Sequence, residues 1–243
     1  MRLAVISDIH GNADALSAVL ADIDARAPDA VFCLGDAIGY GGEPERVIRT
    51  LHRHAIASVL GNHERAVLAP ERLEWFNPLA RKSLVRTAAM LSGESLRAMA
   101  AFPVALSAHG CRFVHGFPPE SVSTYHFEVT AGKKRRILRS MAERICFIGH
   151  THDLTLITCD GRRLTEAALG AETIHLQPGG RAIVCAGSVG QPRDGTPDAK
   201  YVIWDDAAAT LEVRFVRYDI AAAAEKIIAA GLPRAHANRL WCR

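Results

Sequence analysis

Carboxylate, amide and imidazole side chains occur in five short polar segments, each of which adjoins a glycine. The segments are Asp8-Ile9-His10, Asp36, Asn62-His63-Glu64, His115 and His150-Thr151-His152. Oxygen and imidazole donors without a thiolate are typical of sites for hard to borderline divalent cations such as Mn²⁺, Fe²⁺, Co²⁺, Ni²⁺ or Zn²⁺. We therefore predict a divalent-metal site whose candidate residues are Asp8, His10, Asp36, Asn62, His63, His115, His150 and His152.

The size of this donor set indicates two ions. A single site uses about four protein ligands, whereas the present set fits two ions that share one bridging carboxylate. Two ions about 3.5–4 Å apart can hold a hydroxide between them and stabilise the attacking and leaving oxygens of a phosphoryl displacement. A pair of ions of this kind is therefore suited to in-line phosphoryl displacement.

The first three polar segments follow apolar runs that are typical of buried strands. These runs are Leu3–Ser7, Ala30–Leu34 and Ile56–Leu60. Apolar residues at helical spacing fill the stretch after each of the first two segments. The resulting β-α-β-α-β order predicts parallel strands with right-handed crossovers, so that the polar segments meet at one edge of a sheet.

The rest of the chain predicts a second sheet and more helices. The predicted helices are a region from Ala66 to Ala101, with Leu79, Leu84, Val85, Ala88 and Leu91 on its inner side, a basic helix over Gly132–Glu143 and a last helix from Asp219 to Gly231. The predicted strands are Val104–Ala108, Cys111–Val114, Ile145–Ile148, Leu154–Cys159, Arg162–Ala168, Thr173–Leu176, Ala182–Ala186, Tyr201–Trp204 and Leu211–Tyr218. We expect one α/β domain over residues 1–243, a four-layer α/β/β/α sandwich with two mixed β-sheets.

Composition excludes some classes of protein and partner. The 243 residues carry a formal net charge of +3, too small to favour a nucleic-acid or membrane partner. We see neither a signal peptide nor the roughly 20 apolar residues of a membrane span. The six cysteines form no Cys-x-x-Cys pair, and we expect reduced, structural thiols in a cytoplasmic protein. They are Cys33, Cys111, Cys146, Cys159, Cys185 and Cys242. The oligomeric state stays open.

The five polar segments, in this order, resemble the motifs of calcineurin-like metallophosphoesterases. The glycine-rich loop Gly187–Gly195 and the segment Ala224–Ile227 extend the likeness to the small YfcE-type phosphodiesterases of bacteria and archaea. The resemblance implies two metal ions, one bound by Asp8, His10, Asp36 and His152, the other by Asp36, Asn62, His115 and His150.

The same resemblance implies that two residues act without binding metal. His63 would face the scissile phosphate, where it stabilises equatorial charge or protonates the leaving oxygen, an effect worth about 10²–10⁴-fold. Glu64 would fix the ring of His63.

The chain departs from one branch of this family. Protein serine/threonine phosphatases and their tetraphosphatase relatives carry an Asp-Arg pair just after the Gly-Asp motif, but here Gly35-Asp36 is followed by Ala37-Ile38-Gly39. Arg193, in the glycine-rich loop, is a candidate replacement because arginine binds phosphate oxygens bidentately. Glu64, where many small phosphodiesterases have aspartate, points weakly toward the phosphatase branch.

We accordingly expect a phosphodiesterase that acts on small molecules, nucleotides among them. The alternatives on the same site are a phosphomonoesterase, a protein phosphatase or a dinucleoside polyphosphatase. A further alternative is a non-catalytic scaffold with this fold, although every ligand and His63 are present.

Other polar and aromatic residues are given ordinary structural roles. Six histidines are expected at the surface or as satisfied core residues, namely His52, His54, His109, His126, His175 and His236. The basic run Lys133–Arg136 is expected to be a solvated helix face. Tyr40, Phe117 and Tyr125 are expected to pack rather than to stack on a nucleoside. Whether Gly187–Gly195 lines a substrate pocket or merely turns the chain stays open.

Overall fold

A computed structural model describes residues 1–161, 163–177 and 179–241 of the chain. The strands are β1 (Arg2–Ile6), β2 (Ala30–Cys33), β3 (Ala57–Ser58), β4 (Ala105–Ala108), β5 (Cys111–Val114), β6 (Ile145–Ile148), β7 (Leu154–Cys159), β8 (Leu164–Ala168), β9 (Thr173–His175), β10 (Ala182–Ala186), β11 (Ala199–Asp205) and β12 (Thr210–Val216). The α-helices are α1 (Ala13–Arg26), α2 (Pro44–Arg53), α3 (Asn62–Leu68), α4 (Pro78–Ala88), α5 (Gly93–Ala100), α6 (Ala131–Ser140), α7 (Ile220–Ala229) and α8 (Arg234–Arg239), and 3-10 helices span Pro70–Trp75 and His126–Glu128.

Within the described residues the strands form two six-stranded sheets of mixed direction. One sheet has the order β3-β2-β1-β11-β12-β9, and the other has the order β4-β5-β6-β10-β7-β8. Strands β1, β2 and β3 are parallel, which confirms the predicted β-α-β-α-β unit, although β3 is shorter than the predicted run. Strands β5, β6 and β10 are also parallel, so their carboxyl ends lie at one edge of the second sheet.

The two sheets pack face to face, and helices cover their outer faces. Phe32 on β2 stacks on Phe113 on β5 with ring centroids 4.0 Å apart, within a core that draws residues from both sheets. Helices α1, α2 and α5 cover the first sheet, with Leu16, Val47 and Met99 in the shared core. Helix α6 covers the second sheet through Leu138. This is the expected α/β/β/α sandwich.

The predicted helical region from Ala66 to Ala101 is divided into shorter elements. Its first helix begins at Asn62, and prolines at the starts of the 3-10 helix and α4 begin new elements with their own phase. The predicted inner stripe is therefore wrong in part, because Leu79 is 37 % exposed and Val85 is 56 % exposed. On α4 the small residues Ser83 and Thr87 share the buried face with Leu84 instead.

Two further expectations are corrected. Helix α8 follows the helix predicted to be the last one, and its six residues show no apolar period that would reveal it. Lys134 is 3 % exposed rather than solvated, because its Nζ atom lies 2.7 Å from both carboxylate oxygens of Glu166 on β8. The neighbouring Lys133 and Arg136 are exposed as predicted.

The five cysteines that the structure describes are all free thiols. Cys242 lies outside the described residues, as does Arg162 of the predicted strand Arg162–Ala168. Among the helices of the described chain, none has both the length and the apolarity to cross a membrane.

Candidate metal centre

The predicted metal ligands meet at one edge of the sandwich, and both sheets contribute. Asp8 and His10 follow β1, and Asp36 follows β2. Asn62 opens α3, His115 follows β5, and His150 and His152 follow β6. All of these residues except the partly exposed Asn62 are buried. Residues up to 144 positions apart in sequence therefore share one buried cluster.

The donor atoms form overlapping groups that could each hold an ion. These groups, each with all donor atoms within 4.8 Å of one another, are Asp8–His10–His152, His10–Asp36–His63 and Asp36–His115–His150. His152 Nε2 lies 3.2 Å from Asp8 Oδ1, and His115 Nε2 lies 3.4 Å from Asp36 Oδ2. His115 Nε2 also lies 2.9 Å from the amide oxygen of Asn62. Asp36 is shared between groups, as a bridging carboxylate must be.

Hydrogen bonds to backbone carbonyls orient the imidazoles of this cluster. The Nδ1 atoms of His10, His115 and His152 donate to carbonyl oxygens at 3.1, 2.8 and 2.6 Å respectively. In the neutral form of each ring, Nε2 therefore carries the lone pair. His150 is reversed, because its Nε2 atom donates to the Ser123 carbonyl at 3.1 Å and leaves Nδ1 for the cluster.

One buried oxygen indicates what the cluster is built to hold. Asp8 Oδ1 has no hydrogen-bond partner among the described residues, whereas Asp8 Oδ2 accepts bonds from Ser7 Oγ and from the His150 backbone N–H. His10 Nε2 and His152 Nε2 also face each other at 3.1 Å. Converging lone pairs and an unpaired carboxylate oxygen are costly when buried. A bound cation would remove that cost, and the residues present therefore fit a divalent metal.

The backbone of the site has left-handed conformation at five of the predicted ligands. Asp8, His10, Asp36, His150 and His152 have φ values of 51, 50, 50, 69 and 64°. Left-handed backbone costs a non-glycine residue about 1–2 kcal/mol, and such strain persists where the surrounding structure over-determines it. The concentration of strain at five predicted ligands marks this edge of the sandwich as a functional site.

His63 lies beside the predicted ligands in an aromatic environment. Its ring packs against Tyr40 and Phe76 at centroid distances of 4.6 and 5.2 Å. Gly39, at φ +90°, makes room for the ring, since a Cβ atom there would overlap His63 Nδ1. Burial lowers the pKa of His63 to about 4, although the charge of Asp36 opposes this. The imidazole is therefore neutral near pH 7.

Glu64 has a different role from the predicted one. Its carboxylate accepts hydrogen bonds from the backbone N–H groups of Asp36, Gly61 and Ile38 at 2.8, 3.0 and 3.1 Å. The prediction that Glu64 fixes the ring of His63 is wrong, because His63 Nδ1 has no hydrogen-bond partner among the described residues. Glu64 is the third residue of α3, and an acid at this position reaches back to the helix start. It therefore fixes the loop that carries Asp36.

Charges within the cluster act on one another strongly. Burial alone would raise the pKa of Asp36, but His115 and His63 hold it well below its ordinary value. Burial opposes the charged form of His115 as well, yet Asp36 raises the pKa of that imidazole to about 9. Burial and the nearby Asp36 raise the pKa of Glu64 to about 7. Asp36 is thus the electrostatic centre of the site.

A cavity of about 210 Å³ opens onto the cluster. Besides the predicted site residues Asp36, Asn62, His63, His150 and His152, its lining includes Tyr40, Trp75, Phe76, Tyr125 and Arg193. Tyr40 and Tyr125 therefore border the site, whereas Phe117 is buried in the core, as predicted. The position of Trp75 and Phe76 at the cavity was not predicted, because no motif marks these residues. The 3-10 helix that ends at Trp75 brings both to the cavity.

The glycine-rich loop Gly187–Gly195 lines the site, which answers the question that its sequence left open. The Gly190 N–H and the Ser188 hydroxyl donate to the Asp8 carbonyl at 3.0 and 2.8 Å. The Gln191 carbonyl accepts the bond from His152 Nδ1. Arg193 of this loop reaches the cavity.

Comparisons with known proteins agree with this site. Residues 1–207 match the model of the calcineurin-like phosphoesterase superfamily domain. An uncharacterised protein of Methanocaldococcus jannaschii is 34% identical over 98% of this chain and 97% of its own length. The crystal structure of a metallophosphoesterase from Sphaerobacter thermophilus has a TM-score of 0.86 at 32% identity, covering 99% of this chain and 98% of the other. A hypothetical protein from Pyrococcus horikoshii, 18% identical over 99% of this chain and 97% of its own, shares the fold with a TM-score of 0.81. The chain belongs to the calcineurin-like phosphoesterase superfamily.

Proposed function

We propose that this protein is a dinuclear metal-dependent phosphodiesterase that acts on small phosphoesters, nucleotides among them. The observation that carries the proposal is the position of Asp36 in two donor groups, one with His10 and one with His115 and His150. In the proposed arrangement one ion is held by Asp8, His10, Asp36 and His152, and the other by Asp36, Asn62, His115 and His150. Two such ions, when bound, supply charge stabilisation to the phosphoryl oxygens and activate water.

In this proposal His63 contacts the substrate directly. His63 borders the cavity with a neutral ring, and this protonation state suits donation of an N–H hydrogen bond to a phosphoryl oxygen. Nearby cations favour the neutral ring further. We therefore assign His63 the stabilisation of equatorial charge in preference to protonation of the leaving oxygen.

Two features favour diesters over monoesters. The arginine that follows the Gly-Asp motif in the phosphatase branch is replaced here by the segment Ala37-Ile38-Gly39. Phe76 and Tyr40 pack against His63 and line the cavity, and we assign this aromatic surface to the second ester group of a diester. A monoester dianion would leave that surface uncovered.

Hydrolysis of chromogenic esters tests the proposal. We expect the Mn²⁺-loaded protein to cleave bis(p-nitrophenyl) phosphate with a higher kcat/KM than p-nitrophenyl phosphate, and elemental analysis to find two metal ions per chain. Absence of turnover with each of Mn²⁺, Fe²⁺, Co²⁺, Ni²⁺ and Zn²⁺ would refute the proposal that the protein is a phosphodiesterase. Faster cleavage of the monoester would identify a phosphomonoesterase on the same site.

A further inference from the structure

Arg193 is a cation that lines the cavity without a carboxylate partner. Among the ion pairs of the described residues none involves Arg193, whereas Arg112 and Arg214 on the strands are each paired with a carboxylate. Burial raises the pKa of the neighbouring Tyr125, and the positive charge of Arg193 opposes that rise. Tyr125 in turn stacks on the ring of His150, with centroids 4.1 Å apart. An uncompensated positive charge therefore lies at the cavity beside a predicted metal ligand.

The backbone on both sides of Arg193 is anchored. On one side, the Gln191 carbonyl accepts a hydrogen bond from His152 Nδ1 at 2.6 Å. On the other, the carboxylate of Asp194 lies 2.7 Å from the Nζ atom of Lys200, whose side chain is completely buried. Burying a lysine charge is expensive unless it is paired. The fold thus holds the loop, and with it the base of the Arg193 side chain, in a fixed position.

An aromatic wall lines the same cavity. Trp75, the last residue of the 3-10 helix Pro70–Trp75, is 66 % exposed. The Arg72 guanidinium lies 4.6 Å from the centroid of its ring, which holds the indole in place. Phe76 follows directly and contacts His63 edge to face. A large exposed indole at the mouth of a polar cavity offers stacking area for a flat ring.

We propose that Arg193 binds a phosphoryl oxygen of the substrate and that Trp75 stacks on an aromatic ring in its organic group. The substrate class is then a phosphoester of nucleoside type, with its phosphoryl group between His63 and Arg193 and its base on Trp75. Guanidinium groups match phosphate oxygens bidentately. A cavity of about 210 Å³ has room for one phosphoryl group with part of a ring system. This inference rests on the proposed function and specifies its substrate.

Calorimetric titration of the Mn²⁺-loaded protein with AMP and with ribose 5-phosphate separates the two contacts. We expect AMP to bind about 10-fold more tightly than ribose 5-phosphate, since stacking one base on an aromatic residue accounts for such a factor. Trp75→Ala should abolish this preference without weakening ribose 5-phosphate. Arg193→Ala should weaken both ligands about 10- to 100-fold, and Arg193→Lys should weaken them less. Phenyl phosphate in place of AMP distinguishes a simple aryl ester from a nucleoside, because we expect it to bind more weakly than AMP.

The controls use matched residues away from the cavity. Arg136→Ala removes an exposed arginine of α6, and Trp241→Ala removes an indole that is 46 % exposed. Both variants should bind the two ligands as the wild type does. Equal affinity of the wild type for AMP and ribose 5-phosphate would overturn the stacking role of Trp75. Unchanged affinities in Arg193→Ala would overturn the role of Arg193.

The outcome for substrate recognition is separable from the outcome for catalysis. Ligand binding as expected in a protein that hydrolyses no phosphoester would refute the proposed function and leave the binding site in place. Conversely, bis(p-nitrophenyl) phosphate cleaved with the same KM by the wild type and Arg193→Ala would retain the phosphodiesterase and refute the contact to Arg193.

Discussion

Asp36 receives contacts from every part of the site. Its backbone N–H donates to Glu64, its Oδ1 accepts a hydrogen bond from the backbone N–H of His63, and its Oδ2 faces the imidazoles of His10 and His115. A change at this residue therefore alters metal binding and the position of His63 together. Changes at His63 alone should leave the donor set intact.

The first prediction separates these two residues. We expect His63→Gln to retain both metal ions and to lose about 10²–10⁴-fold in kcat, because it removes a substrate contact and no predicted ligand. Asp36→Asn should lose metal as well as turnover. Elemental analysis with kinetics on both variants checks this, and equal metal loss in the two would show that His63 is a ligand.

The second prediction concerns Glu64. Glu64→Gln should lower metal affinity about 10- to 100-fold, because one of the two carboxylate oxygens that accept backbone N–H groups becomes an NH₂ donor. Competition with a fluorescent chelator measures the affinity. A variant with normal metal affinity and reduced turnover would instead support a contact between Glu64 and the ring of His63.

The positions of single site residues were predictable where those residues belong to a recognisable motif. The seven proposed ligands occur in five recognisable segments, each of which adjoins a glycine, and the structure brings all seven together. The hydrogen bonds from Asp36 and Ile38 to Glu64 join segments 28 and 26 residues apart. No motif marks the exposed Trp75 or the ion pair between Lys200 and Asp194, the neighbour of Arg193. Nothing in the local sequence encodes these contacts, so they became visible only in the structure.

Among the secondary-structure elements, α1 is joined to the hairpin β11–β12 by a charged cluster. Asp22 of α1 accepts two hydrogen bonds from the Arg214 guanidinium, at 3.1 and 3.0 Å, and one from the Tyr201 hydroxyl at 2.7 Å. The hydrogen bonds from Arg214 hold the pKa of Asp22 below its ordinary value. A depressed carboxyl pKa contributes stability above the unfolded-state pKa of about 3.9.

The third prediction follows from the lowered pKa of Asp22, which makes its contribution to stability depend on pH. Asp22→Asn should lower the free energy of unfolding by about 2 kcal/mol at pH 7. The difference from the wild type should shrink as the pH falls below about 4, where the Asp22 carboxyl of the unfolded chain is protonated. Urea unfolding at pH 7 and pH 3 measures it. Asp24→Asn, an exposed neighbour on the same helix, is the control and should be nearly neutral at both values.

Elements were predictable where apolar residues alternate or recur without interruption. The parallel β1–β2–β3 unit and the hairpin β4–β5 agree with the prediction because buried strands and tight turns leave local signals. The prediction that Leu79 and Val85 face the core was wrong, because the helical spacing was applied to one continuous helix, whereas prolines begin new helical elements in this region. The six-residue α8 is held by tertiary contacts, such as the 2.7 Å bond between His236 and Ser83.

For the whole molecule we propose a single domain. The inter-sheet core contains Leu3 and Phe32 from one sheet and Phe113 and Phe147 from the other, so neither sheet has a separate core on that face. The proposed metal ligands are divided between the sheets in the same way. Stability of the fold and occupancy of the site should therefore rise and fall together.

The fourth prediction is a thermal one. The metal-free protein should unfold in one transition, and Mn²⁺ at about 100-fold its Kd should add about 2.7 kcal/mol, which raises Tm by about 5–10 °C. Scanning calorimetry with and without EDTA measures both. Two separate transitions would contradict the single domain, and an unchanged Tm would contradict metal binding. Asp36→Asn, measured under the same conditions, should show a smaller rise.

The left-handed backbone at Asp8, His10, Asp36, His150 and His152 has a consequence for how such a centre is gained and lost. A point substitution can supply a carboxylate or an imidazole, but it cannot turn an ordinary loop into this conformation. Grafting the seven side chains onto an unrelated scaffold would therefore fail unless the loops were transplanted with them. Loss is simpler, since one exchanged side chain disables the chemistry and leaves the architecture standing. Proteins that descend from such an enzyme can therefore lose catalytic activity far more readily than an inactive ancestor with ordinary loops can gain it.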